Sequence, residues 1–359
     1  GASVVAYHLL KQLKKKENIQ LSAILLNEGR PAREIRELGI PVDVVDETRG
    51  NFISLASEIL RISTRRSIDI MHTHCYKENM LAYSVTKIRK GIRLVATQHG
   101  MPEIVGKNRN LKYRILSRFN IFLMSKSFDR VVVVSSDLKK IFLEKFAFSA
   151  DKISMIHNGT DIPDANSEKS GRDVFVVGSM GRFFPVKDYP LFVEVAREVS
   201  LTSNEIQFHL AGDGPERKRI EEAIDRSRLR NMFHLVGTVD DLPGFYRKID
   251  LFMNTSLHEG IPMTVLEAMS YGIPVIATSV GGLREIMEDG KEGFLVDERD
   301  PKEFAEKCLR LKGDAELMRR MGASAREKVV KDFSSEVMAG EYHLLYKELI
   351  GENVVGGNA

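Results

Sequence analysis

Two acidic and two basic side chains in the later half of the chain have the chemistry needed to hold a phosphorylated sugar. Glu259 precedes a Gly-Ile-Pro turn, and Glu267 follows eight residues later inside a segment that reads as the start of a helix. A carboxylate accepts paired hydrogen bonds from vicinal hydroxyls, so one glutamate could hold a sugar and the other a ribose. Arg182 and Lys187 could bind a diphosphate and stabilise a departing phosphate. Taken alone, the two glutamates could equally be ordinary solvated surface residues, and so could the two cations.

Glycine-rich turns surround these residues. The helix that begins after Pro262 would expose free backbone N–H groups, which suit a phosphate. Further turns at Gly212–Gly214 and Gly281–Gly282 would let the backbone approach a ligand closely. Val236 and Leu242, on either side of another turn, could present an apolar surface to a flat base.

The elements that must position these side chains are short β-branched runs separated by segments with helical spacing, and continuous apolar runs are typical of parallel strands covered on both faces. The predicted strands are Leu21–Leu26, Pro41–Val45, Ile68–Thr73, Ile92–Thr97, Arg130–Ser135, Ile153–Ile156, Asp173–Met180, Ile206–Ala211, Met232–Val236, Ile249–Thr255, Ile273–Thr278 and Gly293–Val296.

This alternation predicts an α/β protein with two Rossmann-like, doubly wound parallel-sheet domains facing a cleft. We expect an N-terminal domain over residues 1–160 and a C-terminal domain over residues 170–334, joined through the polar segment Gly159–Arg172. An amphipathic helix at about residues 335–350 could brace the first domain or pack on the second. Ligands in such sheets bind beyond the carboxyl ends of the strands, and the candidate site residues follow predicted strands in the same way.

The second half resembles the donor-binding domain of retaining glycosyltransferase family 4, which has the GT-B fold. The resemblance rests on motifs in order along the chain: G-R-x4-K at Gly181–Lys187, A-G-D-G-P at Ala211–Pro215, S-L-H-E-G-I-P-x4-E-A-M at Ser256–Met269, G-I-P-V-I-A-T at Gly272–Thr278, and E-G-F-L-V at Glu292–Val296. It covers nearly all of residues 130–350 and, more faintly, the first half.

The resemblance implies transfer of a sugar from a nucleotide-sugar donor, UDP- or GDP-linked, to a cell-envelope lipid or polysaccharide acceptor, with retention at the anomeric carbon. It implies that Glu259 contacts the donor sugar and that Glu267 contacts the ribose. Arg182 and Lys187 would bind the diphosphate with help from the turn at Gly260 and the backbone amides of Met263 and Thr264. That fold needs no metal ion or other cofactor, and the sequence has no Asp-x-Asp.

Histidines follow two strands of the first half. His99 matches the family's position for a histidine near the donor sugar, although a purely structural histidine is the alternative. His72 and His74 alternate along a strand end and superficially resemble a metal cluster. No further ligand accompanies them, so lining of the acceptor pocket is favoured over zinc.

Composition and charge indicate the cellular compartment and the kinds of binding partner. The two cysteines, Cys75 and Cys308, indicate a reducing compartment, and no signal peptide or membrane-spanning run is evident, so a cytoplasmic protein is expected. Residues 1–160 carry 27 Lys and Arg against 15 Asp and Glu, a net charge of +12, whereas the remainder is net −9. Opposite charges on the two halves favour different partners.

A basic, amphipathic stretch at Lys107–Lys126 suggests a peripheral location on the inner face of the plasma membrane. The alternative is a core-packing helix with a solvated basic face, and no motif supports nucleic acid. The stretch interleaves the basic residues Lys107, Arg109, Lys112, Arg114, Arg118 and Lys126 with the apolar residues Leu111, Ile115, Leu116, Phe119, Ile121, Phe122 and Leu123.

Two expectations remain. The family carries a strand and a Gly-Gly loop before its first helix, whereas here the helix at about Val4–Lys16 follows Gly1 directly. We therefore expect the first strand to be missing and the donor to dock weakly. The second expectation concerns competing functions. The sequence shows no additional site residues for a nucleotide-sugar epimerase or a phosphorylase of the same architecture. The presence of both glutamates and of the two cations disfavours a non-catalytic sensor.

Overall fold

The computed structural model describes residues 1–101, 111–164 and 174–351. The helices are α1 Ala2–Leu13, α2 Arg30–Glu37, α3 Phe52–Arg65, α4 Tyr76–Ile88, α5 Leu111–Ser127, α6 Ser136–Lys140, α7 Tyr189–Ser200, α8 Arg217–Arg226, α9 Leu242–Arg247, α10 Met263–Ser270, α11 Leu283–Ile286, α12 Pro301–Gly313, α13 Ala315–Asp332 and α14 Ser335–Ile350. The strands are β1 Ala23–Leu25, β2 Val42–Val44, β3 Ile70–Thr73, β4 Arg93–Gln98, β5 Arg130–Val133, β6 Ile153–Met155, β7 Phe175–Met180, β8 Ile206–Ala211, β9 Phe233–Gly237, β10 Leu251–Asn254, β11 Val275–Thr278 and β12 Gly293–Val296. Every predicted strand overlaps an observed one, and the two-domain α/β prediction is confirmed.

The chain divides into two compact units. The first contains residues 1–159 together with the segment that begins at Ser335, and the second runs from Thr160 to Ser334. At the boundary, Thr160 and Ser334 form an isolated parallel bridge, and the Thr160 N–H donates to the Phe333 carbonyl at 3.0 Å. The second unit is therefore an insertion whose two ends lie side by side. Most of the predicted polar linker, residues 165–172, lies outside the described residues.

The first unit contains parallel strands in two hydrogen-bonded groups. β1 pairs with β2, whereas β3, β4, β5 and β6 pair in that order, and no ladder joins the two groups among the described residues. A shared apolar core bridges them, because Ile24 of β1 and Met71 of β3 both pack against the cluster built by Val45, Leu55, Ile59, Ile62, Leu81, Val85 and Ile92.

The last helix belongs to the first unit. α14 packs against α1, and the Gln12 side-chain amide donates to the Ser335 hydroxyl at 2.8 Å. Its inner face buries Met338, Ala339, Tyr342 and Leu345. Of the two packing sites that periodicity leaves open for this helix, the structure shows the one on the first unit.

The second unit is a six-stranded parallel sheet in the order β12-β11-β10-β7-β8-β9. The chain moves outward from β7 through β8 to β9, then crosses back to β10 on the other side of β7. The order of the strands thus reverses between β7 and β10, which makes the carboxyl ends of these two strands the expected ligand position. Fully buried side chains such as Phe192, Phe208 and Phe304 fill the layers beneath the covering helices.

Candidate active site

The loops after β7 and β10 are joined to each other at the point where strand order reverses. The Leu257 N–H donates to the Val186 carbonyl at 2.8 Å, and the Thr255 hydroxyl lies 3.1 Å from both the Lys187 and the Asp188 carbonyls. Asp188 also forms an ion pair with Arg299, which follows β12. These bonds fix the two loops in one arrangement at the carboxyl edge of the sheet.

An ion pair lies at the centre of this arrangement. Lys187 Nζ is 2.6 Å from Glu259 Oε1, and the two side chains are only 22% and 11% exposed. The same carboxylate oxygen accepts from the Ser256 hydroxyl at 2.6 Å and from the Asn254 amide at 3.3 Å. Two of the predicted site residues thus meet, and Ser256 and Asn254 hold the glutamate in place.

Arg182 stands apart from that pair. It lies on the same loop as Lys187 but is exposed, and its guanidinium stacks on the Phe184 ring, 5.0 Å from the centroid. No hydrogen bond or ion pair of the described residues links Arg182 to Glu259 or Lys187. The structure therefore places Arg182 at the same edge of the sheet as Lys187 and Glu259, without a bond to either.

Glycines allow neighbouring loops to approach one another closely at this edge of the sheet. A Cβ on Gly281 would lie 2.0 Å from the Glu259 carbonyl oxygen, and one on Gly282 would lie equally close to the Gly260 carbonyl oxygen. Gly281 also has a φ of +52°, which side chains disfavour. Gly212 approaches the Gly181 carbonyl in the same way, at 1.9 Å. Only glycine fits these positions, because other backbone packs against them; the approach of these turns to a ligand stays a prediction.

The helix that follows the Glu259 loop presents its first turn at the same edge. α10 begins after Pro262 without a side-chain cap, so helix geometry leaves the N–H groups of Met263 and Thr264 without intrahelical acceptors. One turn further along, Glu267 is almost fully buried. The positive end of the α10 dipole and the Lys187–Glu259 pair thus lie on either side of residues 260–262.

Glu267 has a partner that the sequence reasoning missed. The Tyr246 hydroxyl donates to Glu267 Oε2 at 2.6 Å, and the tyrosine is 1% exposed. Burial, followed by the negative charge of Glu267, raises the pKa of Tyr246 well above its usual value. Tyr246 lies on α9, and nothing in the spacing of residues 241–247 indicates which way its ring points.

The predicted base-contact residues lie before and after the loop that leaves β9, an edge strand of the same sheet. Val236 is near the end of β9 and is 45% exposed, whereas Leu242 begins α9 and is partly buried. The Gly212 N–H donates to the Gly237 carbonyl at 2.7 Å, which joins the loops after β8 and β9. The contact between these two side chains and a base stays a prediction.

The histidines of the first unit form a network of their own. His99 follows β4, and its Nε2 lies 3.0 Å from His74 Nδ1, with the two rings stacked at 5.2 Å. His72 Nδ1 lies 2.6 Å from the Tyr346 hydroxyl and its Nε2 lies 2.7 Å from the Thr97 hydroxyl. Both nitrogens of His72 are thus engaged by hydroxyl groups within the first unit.

The protonation of these histidines follows from their surroundings. Burial lowers the pKa of His74 from its usual 6.5 to about 4. Burial, followed by the neighbouring His74, also lowers the pKa of His72 and of His99 well below the usual value. Among the residues that the structure describes, no group of three or more His, Cys, Asp and Glu side chains is arranged to hold a metal ion.

Comparison with known families decides the identity. Residues 1–163 match the model described as Glycosyltransferase Family 4, and residues 163–328 match the model described as Glycosyl transferases group 1. The chain is a family 4-type glycosyltransferase. Each family model thus covers nearly the whole of one structural unit.

Relatives of this glycosyltransferase act on varied acceptors. N-acetyl-alpha-D-glucosaminyl L-malate synthase of Bacillus anthracis is 26% identical over 99% of this chain and 96% of its own length. UDP-Gal:alpha-D-GlcNAc-diphosphoundecaprenol alpha-1,3-galactosyltransferase of Escherichia coli is 26% identical over 81% of this chain and 78% of its own. The first name describes a synthase of a glucosaminyl conjugate and the second a galactosyltransferase, and nothing in these similarities favours an epimerase.

The fold of the glycosyltransferase matches solved structures. Anabaena HepE in complex with UDP and glucose superposes with a TM-score of 0.83, at 20% identity, over 97% of this chain and 96% of its own. At that identity the likeness shows the fold, which is GT-B. Within the described parts of the chain, we find no helix with both the length and the apolar character needed to cross a membrane.

Proposed function

We propose that this glycosyltransferase transfers a hexose from a UDP-linked donor, with a GDP-linked donor as the second candidate, and that the product retains the anomeric configuration. The observation that carries the proposal is the Lys187–Glu259 pair beside the first turn of α10, where strand order reverses. The UDP-sugar named for the Escherichia coli relative and the UDP bound by the Anabaena structure favour UDP over GDP.

The donor would bind by exchanging partners with the ion pair. A diphosphate over α10 would accept from the Met263 and Thr264 N–H groups and attract Lys187, with Arg182 swinging in from the solvent. Glu259, released from Lys187, would then accept hydrogen bonds from sugar hydroxyls. We propose that these cations replace a metal ion, so that EDTA leaves turnover unchanged. A loss of activity in EDTA that Mg²⁺ restores would contradict this.

In the transfer step, the bond between the anomeric carbon and the phosphate oxygen breaks. The acceptor oxygen bonds to the same face of that carbon, and its proton passes to the departing phosphate. Lys187 and Arg182 would stabilise the negative charge that develops on this phosphate. His99, whose low pKa keeps it neutral at pH 7, is proposed to contact the donor sugar as a hydrogen-bonding group and not as a cation.

The test separates the two glutamates. We expect Glu267→Ala to weaken nucleotide binding, because it removes the acceptor for the ribose hydroxyls, and Glu259→Ala mainly to reduce turnover of the donor. Calorimetry with UDP and GDP and an assay with labelled donors measure the two effects. Glu222→Ala, an exposed glutamate of α8, serves as the control. Equal nucleotide affinity in the wild type and Glu267→Ala would refute the ribose assignment.

For the acceptor, we propose a lipid-linked or polysaccharide substrate of the cell envelope, in line with the diphosphoundecaprenol acceptor named for the Escherichia coli relative. The small acid named for the Bacillus relative is the competing class. Incubation of the enzyme with labelled donor and either a lipid extract or L-malate distinguishes them, because only the true acceptor yields a labelled glycoside.

One face of α5 supports a peripheral position at an anionic membrane. Ile115, Phe119 and Phe122 are 59%, 46% and 58% exposed at the spacing of one helical face, and Arg114 and Arg118 are exposed beside them. Part of the predicted basic stretch, including Lys107 and Arg109, lies outside the described residues. We propose that this face inserts into the cytoplasmic leaflet of the plasma membrane.

Vesicle co-sedimentation tests this surface. We expect the wild type to sediment with vesicles containing phosphatidylglycerol and not with pure phosphatidylcholine, and we expect the double variant Phe119→Ser/Phe122→Ser to remain in the supernatant. Ile88→Ser, at an exposed position on α4, is the matched control and should bind like the wild type. Binding by the double variant at wild-type level would exclude this face.

A further inference from the structure

We infer that Tyr246 is a positioning residue for nucleotide recognition: it orients Glu267 toward the ribose of the donor. This inference rests on the ribose role proposed above. The Tyr246 hydroxyl lies 2.6 Å from Glu267 Oε2 and 3.3 Å from the Thr264 carbonyl. A phenol has one proton to donate, and the nearer, charged acceptor makes the stronger bond. The proton therefore belongs to the bond with Glu267.

Packing around the Tyr246 ring fixes the position of its hydroxyl group. Its ring stacks on Tyr271, with centroids 5.3 Å apart and planes 20° from parallel, and meets the edge of Phe245 at 5.6 Å. α9 itself is anchored at its start, where the Asp241 carboxylate accepts from the Gly244 N–H at 2.9 Å. With these neighbours, the Tyr246 ring is enclosed and only 1% exposed, as expected of a side chain held by close packing.

A glutamate carboxylate needs such a fixed partner because its terminal torsion angle, χ3, has a broad distribution. The terminal torsion of glutamate has no sharp minimum, so an unrestrained Glu267 would sample many planes. A short bond to one oxygen sets the plane of both oxygens. Because vicinal hydroxyls are recognised by two oxygens in a defined plane, the bond from Tyr246 determines how well Glu267 distinguishes a ribose from a sugar without hydroxyls.

The same short helix, α9, would then influence contacts to two parts of the nucleotide, the base and the ribose. α9 begins with Leu242, the residue predicted to face the base, and four residues later carries Tyr246. Contacts to the base and to the ribose would thus be set by one six-residue helix. Sequence changes in α9 are expected to alter nucleotide choice without altering the Lys187–Glu259 pair.

The experiment measures discrimination between ribose and a sugar without hydroxyls. Whichever of UDP and GDP binds the wild type more tightly is titrated by calorimetry beside its 2′,3′-dideoxy analogue, for the wild type, Tyr246→Phe and Tyr271→Phe. Tyr271→Phe is the matched control, since it removes a hydroxyl from the ring stacked on Tyr246 and leaves the Glu267 bond intact. The ratio of the two dissociation constants does not depend on the fraction of folded protein.

We expect the wild type and Tyr271→Phe to prefer the ribonucleotide, and Tyr246→Phe to lose about tenfold of that preference, as the loss of a hydrogen bond to a charged group predicts. Equal weakening of both nucleotides by Tyr246→Phe would show a merely structural role and overturn the inference. If the wild type itself shows no preference, the ribose role of Glu267 fails, and the inference fails with it.

Discussion

The two units carry polar side chains at the same place, the carboxyl ends of parallel strands, but they use them differently. In the second unit these residues are the oppositely charged Lys187 and Glu259, which remain partly exposed. In the first unit they are His72, His74 and His99, which are neutral and hydrogen-bonded to one another or to hydroxyl groups.

The helix α14 contributes two hydroxyl groups to the network of the first unit. Its residues Tyr342 and Tyr346 reach the strand ends of the first unit, where the Tyr342 hydroxyl lies 2.8 Å from the Thr97 hydroxyl. In the second unit, no such aromatic side chain from a distant helix is bonded to the Lys187–Glu259 pair among the described residues. A charged ion pair can exchange for a charged ligand, whereas a neutral network can offer a ligand hydrogen bonds but no charge.

The largest effect is expected from Lys187→Met. Loss of this cation removes charge stabilisation at the departing phosphate, which should lower turnover by about 100-fold or more. Steady-state rates with saturating donor provide the measurement, and Lys218→Met, an exposed lysine of α8, is the control. A variant within threefold of the wild-type rate would show that the pair is structural in the second unit as well.

A smaller effect is expected from acid on the first unit. The folded His74 titrates near pH 4 and the unfolded one near 6.5, so the unfolded state binds more protons in that window. Stability is therefore fully present above pH 6.5 and is lost as the pH falls through 4, by at most about 3 kcal/mol for this histidine. His72 and His99 act in the same direction. Glu78, whose pKa is raised by burial, opposes them.

Urea unfolding followed by circular dichroism at pH 7.5, 6 and 4.5 measures this dependence. The variant His74→Gln removes one titrating ring from the network and should show a shallower loss of unfolding free energy over the same range. Identical pH dependence in the wild type and His74→Gln would mean that His74 does not couple stability to pH.

The smallest effect is expected from Tyr346→Phe. The variant leaves the ring in place but removes the hydroxyl from His72 Nδ1, which should lower the free energy of unfolding by about 1 kcal/mol. Tyr76→Phe, an exposed tyrosine of the same unit, is the control and should unfold like the wild type. If both variants unfold alike, the bonds of α14 to the strand ends contribute nothing measurable.

Much of this architecture could be predicted from the sequence. Continuous apolar runs such as Val131–Val134 indicate buried parallel strands, and the position of a residue just after a strand predicts that it lies at the ligand edge. The meeting of Lys187 with Glu259 follows from these rules, because their strands are neighbours where the order reverses.

Contacts that depend on how distant elements approach could not be predicted. The bond between Tyr246 and Glu267, the tyrosines of α14 beside His72, and the outward stacking of Arg182 on Phe184 all depend on ring orientations. Hydrophobic periodicity fixes the buried face of a helix, but it says nothing about which hydroxyl on that face meets which polar atom.

The adjacency of Thr160 and Ser334 has a consequence for synthesis of the protein. The second unit is contiguous, so it can complete its sheet as soon as its last residues leave the ribosome. The first unit emerges earlier but must wait, because Tyr342 and Tyr346 are translated only after the whole insertion. Until then, His72 and Thr97 lack the two tyrosine hydroxyls that α14 brings to the ends of β3 and β4.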